Sequence, residues 1–234
     1  MIKPSNMFTE WPPQGVKWFY SDKWVAIAHA DCRAILPELP KVDLVLTDPD
    51  YNAKNIGPNE RAYEGGMPSL SKEDYKEWCH SWFTPIASVV DNIVFTPGIA
   101  NIWNYPQAYW VLCWHKPAAV SFNRLGGFNA WEPILVYGKP FKRLPQDYLY
   151  FNTLNFSKGP ERKHPCPKPV DLWAYLISLT KPGLILDPFL GSGTTAYCAK
   201  KLNRQSIGIE IEEKYCEIAA KRCSQSVMEF DNAD

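Results

Sequence analysis

No apolar run in this 234-residue chain approaches the roughly 18 residues that a membrane-spanning helix requires. Its opening, MIKPSNMFTEWPP, has no apolar core of the kind that marks a secretory signal. A soluble, intracellular protein without a membrane partner is expected. Cys-x-x-Cys pairs are also missing, although the chain holds seven cysteines. An odd count without that spacing argues against a disulfide framework and for reduced thiols. His164 and Cys166 stand close together, but two side chains fall short of the set that zinc needs, so no metal is expected.

Net charge is absent as well, with 25 basic residues against 25 acidic ones. Proteins that grip phosphates usually carry a basic footprint, so neutrality weighs mildly against nucleic acid. The charge is unevenly spread, however. Lys139, Lys142 and Arg143, then Lys158, Arg162, Lys163, His164 and Lys168, gather in the middle third. A nucleic-acid contact and a solvated loop face account for that cluster equally well. Internal repeats, heptads and low-complexity tracts are lacking too.

What is present suits one large α/β domain: 46% hydrophobic residues, 21% charged, and 21 prolines that break the chain often. Residues 1–20 read as an irregular arm with aromatic patches. Strands are expected at Trp24–Ala28, Val42–Thr47, Asn92–Thr96, Trp110–Trp114, Pro133–Tyr137, Leu184–Leu186 and Ser206–Ile209. Helices are expected at Cys32–Leu36, Lys72–Ser88, Val170–Thr180, Thr194–Leu202 and Glu212–Cys223. In the second of these, Tyr75, Trp78, Trp82 and Ile86 recur at helical spacing, a core stripe. Such alternation implies a mainly parallel sheet covered on both faces, with the strands around 110–114 and 133–137 as an antiparallel pair at one edge.

The most informative stretch is LILDPFLGSGTT, Leu184–Thr195. A strand ends on Asp187, and Gly191, Ser192 and Gly193 then offer little side-chain bulk before a helix, so a ligand can approach backbone. SIGIE, Ser206–Glu210, ends a further strand on an acid about twenty residues beyond that turn, where dinucleotide folds grip a ribose. VDLVLTDPDY, Val42–Tyr51, runs a strand into an acid, a proline and an aromatic. HPCPKP, His164–Pro169, precedes the helical pattern Leu172, Trp173, Leu176, Leu179.

Together these residues resemble the DNA amino-methyltransferases, which use S-adenosylmethionine to methylate an exocyclic base nitrogen. Asp187–Thr195 is similar to that family's cofactor loop. Asp48-Pro49-Asp50-Tyr51 is similar to its catalytic tetrapeptide, usually Asp-Pro-Pro-Tyr or Ser-Pro-Pro-Tyr. The catalytic segment precedes the cofactor segment, the permuted order of the β class. The resemblance spans Trp24 to Cys223 and implies a Rossmann-like α/β fold, a mainly parallel seven-stranded sheet with one reversed strand. It implies neighbouring strands ending at Asp48 and Asp187, so that both loops open into one crevice.

The resemblance also assigns roles. Asp48 and the Pro49 carbonyl would accept hydrogen bonds from the target amine, and Tyr51 would stack on a base extruded from double-stranded DNA. Asp187 and the backbone of Phe189, Gly191, Ser192, Gly193 and Thr194 would hold the methionine part of the cofactor. His164 and Lys168 would support that end, Lys168 toward the carboxylate. Glu210 would accept from the ribose hydroxyls, and Asp31, followed by Cys32, would read the adenine amino group. Asp31 reads equally well as a helix N-cap. Glu132, in Trp-Glu-Pro, matches a recurrent family position without a clear chemical task.

Asp50 departs from the family, because a proline usually stands there. Proline fixes φ and removes an N–H. Aspartate restores the donor, loosens the backbone and adds a negative charge near a cationic cofactor. On the reading that this is a defect, the chain is a weakly active or inactive DNA-binding homologue and Asp50→Pro raises the rate. On the reading that it is an adaptation, the same change lowers it or shifts the preferred base. The expectation is that the loop works and that Asp50→Pro raises the rate. Asp rather than Ser at position 48 favours adenine N6 over cytosine N4. Residues 52–70, and 121–163 around the late strand, have no core role and are short for target recognition, which suggests a short target, loose specificity or a homodimer that shares the work. The whole chain, 1–234, reads as one methyltransferase domain of a prokaryotic or phage-encoded cytoplasmic enzyme, tied to DNA methylation and restriction-modification.

Overall fold

Nine strands form one sheet in the computed structural model, which describes residues 17–36, 41–52, 69–117, 125–152 and 168–225. The strands are β1 (Trp18–Ser21), β2 (Val25–His29), β3 (Leu44–Thr47), β4 (Ile93–Phe95), β5 (Trp110–His115), β6 (Trp131–Tyr137), β7 (Tyr148–Tyr150), β8 (Ile185–Asp187) and β9 (Ser206–Glu210). Helices α1 (Cys32–Ile35), α2 (Lys72–Ala87), α3 (Val170–Leu179), α4 (Thr194–Lys201) and α5 (Glu213–Ser224) connect them. A 3-10 helix spans Ile99–Asn104.

The order across the sheet is β1-β2-β9-β8-β3-β4-β6-β5-β7. From β2 to β4 every pairing is parallel, and β6 is antiparallel to both β4 and β5. The expected seven strands are therefore the β2-to-β5 portion, with β6 as the reversed strand. Two flanking strands correct that expectation. β1 pairs antiparallel with β2. It lies within the segment read as an irregular arm, because its aromatic run Trp-Phe-Tyr shows no hydrophobic alternation, yet its burial alternates in place. The turn between β1 and β2 is tied by Asp22 Oδ1, which accepts from Trp24 N at 2.8 Å and Val25 N at 2.9 Å. At the other edge the three-residue β7 pairs parallel with β5, so the antiparallel pair lies one strand in from that edge. Three residues are too few for a period to be read.

The central strands β3, β8 and β9 are buried along their whole length because both faces are covered, and their polar residues stand mostly at their ends. On one face Val45, Ile93 and Phe95 pack with Tyr75, Cys79, Trp82 and Ile86 of α2. On the other, Leu44, Leu46 and Ile185 pack with Leu172, Trp173 and Leu176 of α3, while Val25 and Ile27 meet Ala196 of α4 and Cys216 of α5. Each fully buried large side chain contributes about 1.5–3 kcal/mol. Ser71 caps α2 by accepting from Asp74 N at 3.1 Å. No helix among the described residues is long and apolar enough to cross a membrane.

Candidate active site

β3 and β8 lie side by side and parallel, with Val45 opposite Leu186, so the chain segments after Thr47 and Asp187 leave the same edge of the sheet. Asp48 follows β3, and Thr96 follows the neighbouring β4. Thr96 Oγ1 donates to Asp48 Oδ1, and the Tyr51 hydroxyl donates to the same oxygen at 2.6 Å. Lys168, just before α3, sets its ammonium 2.7 Å from Asp48 Oδ2 and donates to the Tyr51 hydroxyl at 2.9 Å. Because β6 runs in reverse, its first residues reach this edge too. Glu132 Oε2 lies 3.3 Å from the Tyr51 hydroxyl and 3.9 Å from Lys168 Nζ, while its other oxygen pairs with Lys116 at the end of β5.

Two lysines and two carboxylates thus enclose one phenol. Burial pushes the Glu132 carboxyl up, but the Lys168 and Lys116 ammoniums outweigh it and hold the group below the usual carboxylate range. The Tyr51 phenol is raised well above its ordinary value, by burial and then by the Asp48 and Glu132 charges. It stays protonated and serves as a donor. Lys168 Nζ also lies 4.8 Å from the centre of the Tyr51 ring.

The backbone of this loop is held by residues that sequence reasoning left out. Tyr75 donates from its hydroxyl to the Asp50 carbonyl at 2.7 Å. Asn101 Nδ2 donates to the Tyr51 carbonyl at 3.0 Å and the Pro97 carbonyl at 3.1 Å. Gly98, with φ of +73°, lies under the Tyr51 ring, and a Cβ there would stand 3.0 Å from Tyr51 Cδ2.

The second loop follows β8. Asp187 points inward: its carboxylate accepts from Thr47 Oγ1 at 2.6 Å, Thr195 Oγ1 at 2.5 Å and Phe189 N at 3.0 Å. Burial pushes its carboxyl up to about 6, and those three donors limit the rise. Asp187 therefore shapes the loop from beneath. Gly191 and Gly193 take φ of +52° and +79°, where a side chain is disfavoured. A Cβ on Gly193 would lie 2.8 Å from that of Ala219 in α5. Arg222, also in α5, donates to the Ser192 carbonyl at 3.3 Å and Thr194 Oγ1 at 3.0 Å. Phe189 packs against Trp78 and Trp82, with ring centres 5.4 and 5.2 Å apart. The core stripe of α2 thus also supports this loop.

Glu210 ends β9, next to β8. Its oxygens accept from Gly191 N at 2.7 Å and Glu212 N at 2.9 Å. Burial raises its carboxyl, and the two N–H groups offset part of that. Asp31 follows β2, the next strand over, and Cys32 is buried. Asp31 caps α1, accepting from Arg33 N at 2.9 Å, and pairs with the Arg33 guanidinium, which holds its carboxyl low. Three adjacent strand ends, those of β2, β9 and β8, thus present Asp31, Glu210 and the glycine loop in order.

The expected residues Asp48, Pro49, Asp50, Tyr51, Asp31, Glu210, Lys168 and those of the Phe189–Thr194 loop lie along one edge of the sheet. Lys168 stands on Asp48, Tyr51 and Glu132. His164 lies outside the described residues, as do Cys166, Lys158, Arg162 and Lys163, residues 53–68 of the segment 52–70, and residues 121–124 and 153–163 of the segment 121–163. The rest of the basic cluster is elsewhere. Tyr137 at the end of β6 pairs with Ile93 at the start of β4, so Lys139, Lys142 and Arg143 follow at the opposite edge from Asp48. Lys142 N donates there to the Leu179 carbonyl at the end of α3.

The family model described as DNA methylase, of the N6/N4 methyltransferase type, matches residues 139–221. The type II methyltransferase M2.DpnII of Streptococcus pneumoniae is 53% identical over 88% of this chain and 92% of its own length. M.BglII of Bacillus subtilis is 37% identical over 98% of this chain and 75% of its own. Among solved structures, M1.HpyAVI in complex with SAM superposes with a TM-score of 0.64 at 27% identity, over 86% of this chain and 99% of that one. The cytosine-N4-specific PvuII DNA methyltransferase shares the fold, with a TM-score of 0.68 at 19% identity over 89% of each chain. A relative of this identity and coverage, and a family match that takes in α3 through α5, place the chain in the family of DNA amino-methyltransferases.

Proposed function

We propose that this chain transfers a methyl group from S-adenosylmethionine to the N6 amine of adenine in DNA, acting as a cytoplasmic modification enzyme. The observation that carries the reading is the meeting of Asp48, Tyr51, Lys168 and Glu132 beside a glycine loop on the neighbouring strand end.

The residues present fit the cofactor. Gly191 and Gly193 keep side chains out of the loop, so backbone amides can approach the methionine part. Glu210 and Asp31 are acceptors at successive strand ends, suited to ribose hydroxyls and an adenine amine. When bound, the cofactor supplies an electrophilic methyl on a sulfonium. The target amine is a weak nucleophile because its lone pair is delocalised into the ring. The protein's task is to orient it and to accept its N–H groups. A carboxylate offers about four lone-pair sites. Among the described residues, Asp48 Oδ1 takes two donors and Oδ2 takes only Lys168. One site on Oδ2 stays open for a base N–H, with the Pro49 carbonyl for the other. Lys168 and Thr96 hold the carboxylate still while this happens. Tyr51 supplies an aromatic face for an extruded base.

Asp rather than Ser at position 48 supports adenine over cytosine. The test is incubation with labelled S-adenosylmethionine and unmethylated DNA, RNA or neither, followed by digestion to nucleosides. Label in N6-methyldeoxyadenosine is expected. Label in N4-methyldeoxycytidine would overturn the choice of base, and label from RNA alone would overturn the choice of polymer.

A further inference from the structure

Asp50 stands where the methyltransferase reading leads one to expect a second proline, and its side chain is engaged. Its Oδ1 accepts from Asn52 N at 2.7 Å, which closes a turn across Tyr51. Asn52 is buried and takes φ of +52°, a conformation that asparagine tolerates. Its side-chain amide is then used in both directions: Nδ2 donates to the Leu70 carbonyl at 2.9 Å, and Oδ1 accepts from Leu70 N at 3.0 Å. The carbonyls of Asp50 and Tyr51 are held in turn by Tyr75 and Asn101.

Proline would stiffen this loop by fixing φ at position 50; here a side-chain hydrogen bond from Asp50 to Asn52 N restrains the loop across Tyr51 instead. We infer that Asp50 is a positioning residue whose carboxylate oxygen, rather than its charge, fixes Tyr51 beside Asp48. The inference rests on the methyltransferase reading and deepens it. It also reverses the expectation that proline at this position raises the rate. Asp50→Pro removes the acceptor on which Asn52 N relies.

The experiment compares wild type, Asp50→Ala, Asp50→Asn and Asp50→Pro in single-turnover methylation of DNA. Cofactor affinity by calorimetry and amide exchange at Asn52 are measured on the same proteins. The loss of one loop-ordering hydrogen bond makes Asp50→Ala about tenfold slower. Asparagine keeps the acceptor oxygen and recovers the rate to within about threefold of wild type. Asp50→Pro does not exceed wild type, and cofactor affinity stays within about twofold throughout. Asn52 exchange is slow in wild type and Asp50→Asn and about tenfold faster in Asp50→Ala. An Asp50→Asn enzyme as slow as Asp50→Ala would make the charge the active feature and overturn the inference. So would a wild-type rate in Asp50→Ala, a faster Asp50→Pro, or a parallel loss of cofactor affinity. A wild type that methylates no DNA would sink the methyltransferase reading instead, and the exchange order would still judge the turn.

Discussion

Asp187 and Glu132 are both buried carboxylates, and their surroundings move them in opposite directions. Asp187 has three neutral donors and no cation, so burial wins and its carboxyl rises to about 6. A folded-state value above the unfolded one means that the group favours folding at low pH and loses that contribution as pH rises. Asp187→Asn is therefore expected to gain stability relative to wild type between pH of about 4 and about 6 and to hold the gain above it, as read by denaturant titration. A gap that does not change with pH would show that folding does not raise the Asp187 carboxyl. Glu132 sits between two ammoniums and is held low, so its contribution is present at neutral pH and fades as pH falls through the carboxylate range. Glu132→Gln removes the carboxylate that Lys116 and Lys168 share, and a loss of about 3 kcal/mol at pH 7 is expected. That loss should shrink toward pH of about 4. A change under about 1 kcal/mol would mean that water already screens the cluster.

The elements that carry the site differ in how far they can be read from sequence. β3 and β8 are apolar runs ending on Asp-Pro, and the glycine loop announces itself, so both loops and their shared edge are legible. β1 and β7 are not, because an aromatic triplet and a three-residue strand give no period, and only their neighbours make them strands. The same limit applies to side chains. Thr96, Lys116, Tyr75, Asn101 and Arg222 act across 16 to 50 positions of sequence. No local pattern marks them, and they are found only once the sheet order brings β4, β5 and β6 to the Asp48 edge. Glu132 was visible as a residue but not as a task, since its task is set by two lysines on other elements. The glycine loop makes its own prediction. In Gly193→Val a branched side chain meets Ala219 at a φ of +79°, and calorimetry should register no cofactor binding. Cofactor binding at wild-type affinity would mean that the loop does not hold the ligand.

At the scale of the whole molecule, the sheet separates its two edges by function. Every loop assigned to chemistry leaves the carboxyl ends of β2, β9, β8 and β3, as ligand sites in open α/β sheets do. Lys139, Lys142 and Arg143 leave the other edge, so their neutralisation should not disturb a DNA engaged at Asp48. Lys142→Gln with Arg143→Gln is expected to leave the salt slope of DNA binding unchanged, whereas each lost phosphate contact would flatten it by about one.

On the proposed reading, two loops at adjacent strand ends divide one reaction, the β8 loop holding the cofactor and the β3 loop presenting the base. The most direct measurement is single-turnover methyl transfer to DNA by Asp48→Ala, with cofactor affinity taken on the same preparation. The expected result is an affinity within about twofold of wild type and a transfer rate lower by about a thousandfold or more, since the lost acceptor acts on the transition state. An Asp48→Ala protein that loses cofactor binding in step with transfer, or one that transfers at the wild-type rate, would contradict the division.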